Sequence, residues 1–549
     1  MRSIRFIAAL LALTAGASAC TRVGTPGPAA TGNAWTHHGR LVFATSADPK
    51  NLDPVLASSQ PTLELSLFLF SWAVRYDEKA QPHPDALREI PTVANGDVSK
   101  DGLTLIYKLR PHMKWHDGEA VTCRDLRFTW QVVMNPHNNV VTTDGYNAIR
   151  AIDCSDPLVA VLHMKRVYAP FLVELFGPNG NAPILPEHLL AKYNDDKGSF
   201  NTAPYQSAPV GSGPFRFVSW QRGQEVRLAA FDDFYLGRPK LREVIYKIIP
   251  DGNTLLTQMR SHELDLVFNV SARHYREFRS IPGVTIVAPP VFSYDHLDFN
   301  LRHPPFDDVA VRRALAYALD RKTMLTVLNH GLGDLAPADE SPRLGQAYDP
   351  DVATYPFDPA KARTLLDAEG WKLGPDGVRV KDGHRLSFTI GTPSESTYGQ
   401  AIETIVQRYW RQVGASATIK NAPTSLFFDN TANGILQGGN YDVAFFAWAA
   451  SADPDDSQIY SGKYFAPHGQ NALFWNDPRA TAAMDDALGT VNFERRKRDY
   501  YVVQEELASQ LPTIVLWFSH EVVAYNSDLQ GFAPSPVIAD FWNPWEYSL

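Results

Sequence analysis

The sequence has few cysteines, no excess of basic residues and no long apolar run. Its 549 residues include only three cysteines, Cys20, Cys123 and Cys154, and no C-x-x-C pair, so redox catalysis is unsupported. The 60 acidic residues outnumber the 51 basic ones, for a net charge of −9. This balance argues against a nucleic-acid partner, because phosphate backbones are bound by clustered positive charge. Beyond the N-terminus, no stretch approaches the roughly 20 apolar residues that span a bilayer.

What is present predicts a large, ordered chain. The composition is 44% hydrophobic and 11% aromatic, which is too apolar for a disordered protein. At roughly 100 to 200 residues per domain, the length corresponds to about three to four structural modules. A chain of this size is able to enclose a ligand site between its modules.

The N-terminus has the pattern of an export signal. Basic Arg2 and Arg5 precede the apolar run 7–13, which is too short to cross a membrane. The small residues 17–19 lead into Cys20 and resemble the lipobox of a bacterial lipoprotein, so residues 1–19 are predicted to be a signal peptide and Cys20 to be lipidated. The alternative is an ordinary secretory signal cut near residue 19. Both predict export to the periplasm or to the outer face of the cell membrane.

The residues that follow Cys20 predict a flexible tether over 20–39, because they are rich in Gly, Pro and Thr. Ordered structure is expected near Arg40. With Cys20 lipidated, Cys123 and Cys154 remain as an even pair in an oxidising compartment. We predict a disulfide between them; two small buried thiols are the alternative.

The hydrophobic pattern predicts helices and strands that alternate along the chain, and hence a mixed α/β fold. Helices are predicted over 311–319, 358–370 and 494–511, and strands at 41–44, 103–109, 244–249 and 513–518.

Catalytic and cofactor motifs are not persuasive. The G-x-G-x-x-A match at 331–336 follows a predicted helix rather than a strand, which is the wrong context for a dinucleotide site. His520-Glu521 lacks the second His of H-E-x-x-H, and His and Cys do not cluster at metal-ligand spacing, so no cofactor and no metal are expected. The remaining acid/base candidates are Asp453 with Asp455 or Asp456, which leaves a secreted hydrolase as an alternative function.

A series of segments, in order along most of the chain, resembles a known family. These segments are Leu103 to Pro111, Lys114-Trp-His-Asp-Gly118, Val121 to Asp125, Pro209-Val-Gly-Ser-Gly-Pro-Phe215, Asp298-Phe-Asn300 with Pro304-Pro-Phe306, Val311 to Asp320, and Asp358 through Trp371. Together they resemble the family 5 extracellular solute-binding proteins of ABC importers, which include dipeptide-, oligopeptide- and nickel-binding proteins. Most of these residues also have a structural explanation as turns and hinges.

The resemblance implies a type II periplasmic-binding-protein fold, with two lobes that close on ligand about two crossing strands. The crossings are expected near 290–299 and 515–523. Lobe I would contain 40–66, 209–293 and 522–549, an extra subdomain would contain 67–208, and lobe II would contain 294–521. Such a protein is expected to be a monomer that binds a small molecule or oligopeptide and docks to permease subunits. An oligosaccharide-binding or sensory protein of the same fold is the alternative.

The family also implies candidate ligand-binding residues. Its peptide-binding members carry a Trp followed three residues later by an Asp that pairs with the peptide ammonium. Trp448 matches that Trp, but Ser451 stands where the Asp is expected, so Asp453 is the candidate substitute. Trp448 is expected to line the cleft, with Ser451, Asn471 and Tyr294 as further candidates.

Overall fold

The structure is a computed structural model that describes residues 32–57, 59–335, 337–537 and 540–549. The predicted signal peptide and Cys20 lie outside the described residues. Within them, no helix combines the length and apolar character needed to cross a membrane.

The described residues form a mixed α/β fold, as the pattern predicts. The α-helices are α1 (Gln60–Leu69), α2 (Cys123–Met134), α3 (Phe171–Glu174), α4 (Glu187–Leu190), α5 (Gly252–Arg260), α6 (Tyr275–Arg279), α7 (Val309–Tyr317), α8 (Arg321–Asn329), α9 (Pro359–Ala368), α10 (Thr397–Arg411), α11 (Thr424–Phe427), α12 (Ser457–Tyr460), α13 (Pro478–Leu488) and α14 (Phe493–Gln510). Short 3₁₀ helices lie at Tyr146–Ala148, Ala191–Tyr193, Ser199–Thr202, Pro204–Gln206, Pro342–Ala347 and Pro544–Glu546.

The strands are β1 (Arg40–Thr45), β2 (Val74–Tyr76), β3 (Pro82–Pro84), β4 (Thr104–Lys108), β5 (Ile149–Asp156), β6 (Val159–Met164), β7 (Phe215–Gln221), β8 (Glu225–Ala230), β9 (Glu243–Ile248), β10 (Leu266–Val267), β11 (Val284–Val287), β12 (Pro290–Phe299), β13 (Gly333–Asp334), β14 (Lys372–Leu373), β15 (Arg379–Lys381), β16 (His384–Arg385), β17 (Ser387–Gly391), β18 (Ser416–Ile419), β19 (Val443–Ala449), β20 (Thr513–His520) and β21 (Val523–Asn526).

Two large sheets organise these strands. A seven-stranded sheet has the order β11-β21-β10-β1-β9-β8-β7, and a six-stranded sheet has the order β13-β20-β12-β19-β17-β18. Three small sheets, β2-β3, β4-β6-β5 and β14-β15-β16, complete the fold. One hydrophobic core extends from the seven-stranded sheet into the region of β2 to β6, and another packs the helices α7 to α10 against the six-stranded sheet.

The chain crosses from one large sheet to the other twice, and the two crossing segments lie side by side. β11 belongs to the first sheet and β12 to the second, whereas β20 belongs to the second and β21 to the first. At the crossing, Glu521 N–H donates to the Pro289 carbonyl at 2.9 Å, and Pro290 pairs with His520 in the β-ladder. These positions coincide with the crossings that the family resemblance implies.

Local signals explain the helix ends. The Asp308 side chain accepts from Ala310 N–H at the start of α7, and the Asp358 side chain accepts from Lys361 N–H at the start of α9. After α9, Gly370 has φ +86°, which a residue without Cβ adopts freely.

The predicted tether is too long at its C-terminal end. Asn33 Nδ2 donates to Asn526 Oδ1 at 2.9 Å and to the Gly283 carbonyl at 3.0 Å, and Trp35 stacks on His262 with ring centroids 4.3 Å apart. These contacts fix the residues before β1 to the seven-stranded sheet. Asn33 and Trp35 together supply the anchor, which composition alone does not reveal.

Two motifs of the family resemblance meet in space. His116 N–H donates to the Gly211 carbonyl at 2.8 Å, Gly211 N–H donates to His116 Nδ1 at 3.1 Å, and His116 Nε2 donates to the Gly213 carbonyl at 3.0 Å. A Cβ on Gly211 would lie 1.8 Å from the Leu69 carbonyl oxygen. Gly is therefore required where this bend passes the end of α1.

His116 should make the stability of the protein sensitive to acid. Burial lowers the pKa of His116 from 6.5 to about 4. The unfolded chain therefore takes up the proton near pH 6.5 and the folded chain only near pH 4, so the stability present above pH 6.5 is lost as the pH falls. Between about pH 7.5 and about pH 5, the wild type should lose up to about 2 kcal/mol more than His116→Gln. Urea unfolding at both pH values measures this; equal losses in the two proteins would contradict it.

Cys123 and Cys154 are disulfide-bonded in the structure, with Cα atoms 5.5 Å apart. The bond joins the start of α2 to β5, across a sequence separation of 31. By the loop-entropy argument, Cys123→Ala/Cys154→Ala should lower the free energy of unfolding by about 3 kcal/mol. Thiol alkylation of unreduced, denatured protein gives the second check, since labelling of both cysteines would show that the bond is absent.

Candidate functional site

A cavity of about 490 Å³ opens beside the six-stranded sheet. β12 and β19 pair antiparallel with Tyr294 opposite Trp448 and His296 opposite Phe446. Alternate residues of a strand share one face, so His296, Asp298, Phe446 and Trp448 are presented together and line the cavity. The rest of its wall is supplied by Phe428, Asn430, Leu436, Gln437, Ala447, Gln458, Ile459, Pro467, His468, Gly469, Gln470 and Ala472.

The cavity has an aromatic side. The rings of His296 and Phe446 lie 4.3 Å apart between centroids, and those of Phe428 and Phe446 lie 5.8 Å apart. Trp448 adds its indole and is partly buried, packing against the hydrophobic clusters on either side of it. Such a wall favours planar or apolar groups on a ligand.

The cavity also carries polar atoms that lack a partner within the described residues. His296 is 1% exposed, and its Nδ1 lies 2.8 Å from Asp298 Oδ1, which fixes the ring. Its Nε2 and the Oε1 of Gln437 are buried and form no hydrogen bond in the described part of the chain. Both residues line the cavity, but these two atoms are enclosed, so a ligand reaches them only if the neighbouring side chains move.

His296, Asp298 and Gln437 were not among the residues predicted from sequence. A signal does exist, because Asp295, His296 and Asp298 interrupt an otherwise apolar strand. Asp295 belongs to the opposite face, where its Oδ2 accepts from the Trp517 indole at 2.7 Å. The pattern alone does not say which of these polar residues faces the cavity.

Two of the predicted residues lie at the end of β19 and just beyond it. Trp448 lines the cavity. The Ser451 hydroxyl accepts from Asp453 N–H at 3.1 Å, which forms a local turn. Trp448 therefore lines the cavity and Ser451 shapes the loop that follows, while ligand contact by either residue stays a prediction.

Asp453 has a partner within the protein. Arg496 of α14 donates to both of its oxygens, at 2.6 Å and 2.9 Å, and also donates to the Tyr500 hydroxyl at 3.1 Å. The two charged side chains are only 12% and 13% exposed. The expectation that Asp453 substitutes for the ammonium anchor thus differs from the structure, where a bidentate guanidinium already occupies this carboxylate.

Asn471 and Tyr294 are both fully buried. Asn471 Nδ2 donates to the carbonyls of Ser461 and Trp475, at 3.1 Å and 2.8 Å, so its amide holds its own loop rather than facing the cavity. The Tyr294 hydroxyl lies 3.0 Å from that of Tyr460. Tyr294 thus stands beside the cavity wall at the crossing, and neither residue is among those that line the cavity.

A group of three carboxyl groups lies near the tyrosine pair. Asp339, Glu340 and Asp456 each place an oxygen within 4.8 Å of the others. Burial raises the pKa of Asp339 to about 7, and burial together with the neighbouring carboxylates raises the pKa of Glu340 and of Asp456. Asp455, by contrast, bonds to the N–H and hydroxyl of Ser457. With Asp453 ion-paired, the aspartates give no support to the hydrolase alternative.

Comparison with known proteins places this geometry in a family. Residues 53–470 match the model of the bacterial extracellular solute-binding proteins, family 5. The oligopeptide-binding protein AppA of Bacillus subtilis is 26% identical over 506 residues, covering 91% of this chain and 89% of its own. A putative ABC transporter peptide-binding protein of Brucella ovis is 28% identical over 478 residues, covering 86% of each chain.

Solved structures share the fold along nearly the whole chain. The structure of B. subtilis AppA in complex with a nonapeptide has a TM-score of 0.75 at 24% identity and covers 93% of this chain and 98% of its own. The structure of NikZ from Campylobacter jejuni in complex with Ni(L-His) has a TM-score of 0.78 at 26% identity and covers 94% of this chain and 100% of its own. The fold is thus the type II periplasmic-binding-protein fold. With the family model matching most of its length, this chain belongs to the family 5 bacterial extracellular solute-binding proteins.

Proposed function

We propose that this protein captures a peptide-like solute outside the cytoplasm, in the cavity beside Trp448, and delivers it to the permease of an ABC transporter. As a member of its family it is a binding protein and not an enzyme. The observation that carries the proposal is the cavity itself, which joins an aromatic wall to the polar residues His296, Asp298 and Gln437. Peptides offer both apolar side chains and amide groups to such a wall.

The two large sheets suit a binding protein that closes on its ligand. We propose that they centre the two lobes, 40–66 with 209–293 and 522–549 in one and 294–521 in the other, with 67–208 as the extra subdomain. The paired crossings at Pro289 and Glu521 would act as the hinge. Ligand would shift the protein to the closed state only as far as it binds that state better, and that state would be recognised by the permease.

The proposal is tested by identifying the solute. Purified protein is denatured, and the small molecules released from it are analysed by mass spectrometry. Intact short peptides are the expected result. Calorimetric titration against a panel of free and N-acetylated peptides and oligosaccharides follows, and binding of oligosaccharides without any peptide would overturn the choice of ligand.

Membrane attachment through Cys20 is a separate proposal, supported by the lipobox-like residues before it. Changing Cys20→Ser should move the protein from the membrane fraction to the soluble fraction, because a lipid chain on this residue would be its anchor. Fractionation after a high-salt wash measures this. A variant that still sediments with membranes would show that Cys20 is not the anchor.

A further inference from the structure

The three carboxyl groups described above come from two separate loops beside the crossing strand β12. Asp339 and Glu340 lie between β13 and the 3₁₀ helix Pro342–Ala347, and Asp456 lies immediately before α12. One oxygen of each lies within 4.8 Å of the other two. None of the three lines the cavity of Trp448, so the cluster is distinct from the proposed solute site.

No basic side chain forms an ion pair with Asp339, Glu340 or Asp456 in the described part of the chain, and burial favours the protonated form of all three. Asp339 is 1% exposed, and neither of its carboxylate oxygens has a hydrogen-bond partner there. Glu340 is 4% exposed. The nearby guanidinium of Arg496 is engaged with Asp453. Because burying an unpaired carboxylate is costly, these three groups either keep their protons or exchange them for a cation bound between them, and the fully buried Asp339 directed at two other carboxyl groups suits the second case.

We propose that Asp339, Glu340 and Asp456 form a binding site for a divalent cation of the calcium type. The donor atoms are all oxygens, with no His or Cys in the cluster, which favours a hard cation. Oxygens that bind one Ca²⁺ at about 2.3–2.6 Å lie at most about 5 Å apart, which the observed spacing satisfies. A cage of protein oxygens also suits Ca²⁺ better than Mg²⁺, which usually keeps several of its waters.

The net charge of the cluster also favours a metal ion over an ammonium group as its ligand. A divalent ion that displaces the protons leaves one net negative charge on the three carboxylates, whereas a single ammonium leaves two in a buried position. The bound ion would connect the loop of Asp339 to the loop that leads from Trp448 to α12. It would therefore stiffen the region next to the solute cavity.

Terbium luminescence tests the site directly in the full-length chain after chelator treatment. Tyr460 N–H donates to the Asp456 carbonyl at 3.1 Å, and its hydroxyl pairs with Tyr294, so two tyrosines are available to sensitise a bound Tb³⁺. We expect a signal that saturates at about one ion per chain, is displaced by Ca²⁺ more readily than by Mg²⁺, and accompanies a Ca²⁺-dependent rise in melting temperature.

Variants assign the signal to these residues. Glu340→Gln and Asp456→Asn keep side-chain size and should each weaken Tb³⁺ and Ca²⁺ binding at least roughly tenfold. Asp486→Asn removes a carboxylate that is 62% exposed and should leave both unchanged. Circular dichroism verifies that each variant is folded. The displacement of Tb³⁺ by Ca²⁺ in the wild-type protein tests the site even if a variant does not fold.

Three results would overturn the proposal. The first is the absence of saturable Tb³⁺ binding and of any Ca²⁺ effect on the melting temperature. The second is an equal affinity for Tb³⁺ and Ca²⁺ in the wild type and in the variants Glu340→Gln and Asp456→Asn. The third is stabilisation of the wild type by a primary amine such as lysine but not by Ca²⁺. The last would identify the cluster as an ammonium site. Because the probe is the metal ion alone, failure of the peptide panel would leave this test unaffected.

Discussion

Arg496→Met should destabilise the protein by about 3–5 kcal/mol, because it leaves the Asp453 carboxylate without its partner in a partly buried position. Both oxygens of Asp453 accept from the guanidinium, which also donates to the Ala487 carbonyl at 3.1 Å. The ion pair connects the loop after β19 to α14, so its loss should loosen the region next to the cavity. The shift of the urea unfolding midpoint measures the effect.

The neighbouring residue offers a matched control for this prediction. Arg495 pairs with Asp486 at 3.2 Å, but these side chains are 50% and 62% exposed, so Arg495→Met should cost less than about 1 kcal/mol. The double variant Arg496→Met/Asp453→Asn should recover part of the stability lost by Arg496→Met alone, since it removes the unpaired charge. Equal losses in Arg495→Met and Arg496→Met would show that the buried ion pair contributes no more than the exposed one.

Trp448→Ala should weaken solute binding by roughly a hundredfold. The indole lines the cavity opposite Tyr294 in the β-ladder, and its removal takes away a large contact surface at the site where the solute is proposed to bind. Calorimetric titration with the solute recovered from the wild-type protein measures the change in affinity. The change should appear without a comparable loss of thermal stability, because Trp448 is only partly buried.

Trp220→Ala is the control for this measurement. Trp220 lies on β7, at the edge of the seven-stranded sheet, where its ring stacks with the Arg222 guanidinium. It is outside the cavity, so its removal should leave solute affinity unchanged. If both variants bind the solute as tightly as the wild type, the solute binds elsewhere.

The three candidate aspartates show which features of the site could be predicted from the sequence and which could not. The pattern of Asp453, Asp455 and Asp456 around Pro454 predicts an acidic loop. Because Ser451 stands where the family carries an Asp, the resemblance makes Asp453 a candidate substitute for the ammonium anchor. The structure gives the three carboxylates different partners: Arg496 for Asp453, Ser457 for Asp455, and the Asp339 cluster for Asp456. Adjacent residues in a turn point in different directions, so their roles depend on the elements that pack around the turn.

The sequence by itself determined the elements whose causes are local. Asp358 with Pro359 begins α9 and Gly370 follows its end, because caps and left-handed residues act within one helical turn. The alternation of apolar and polar residues likewise determined β4. The ordered series of motifs also determined the family, and with it the fold and the class of function.

Only the tertiary structure decided which polar residues meet. Arg496 and Asp453 are 43 residues apart, and His116 meets Gly211 across 95 residues. The cavity combines β12, β19 and two loops, and the carboxylate cluster combines two others. Periodicity reports which side of an element is apolar, whereas the pairing of polar groups between distant segments depends on how the elements pack and on whether each buried charge finds a partner.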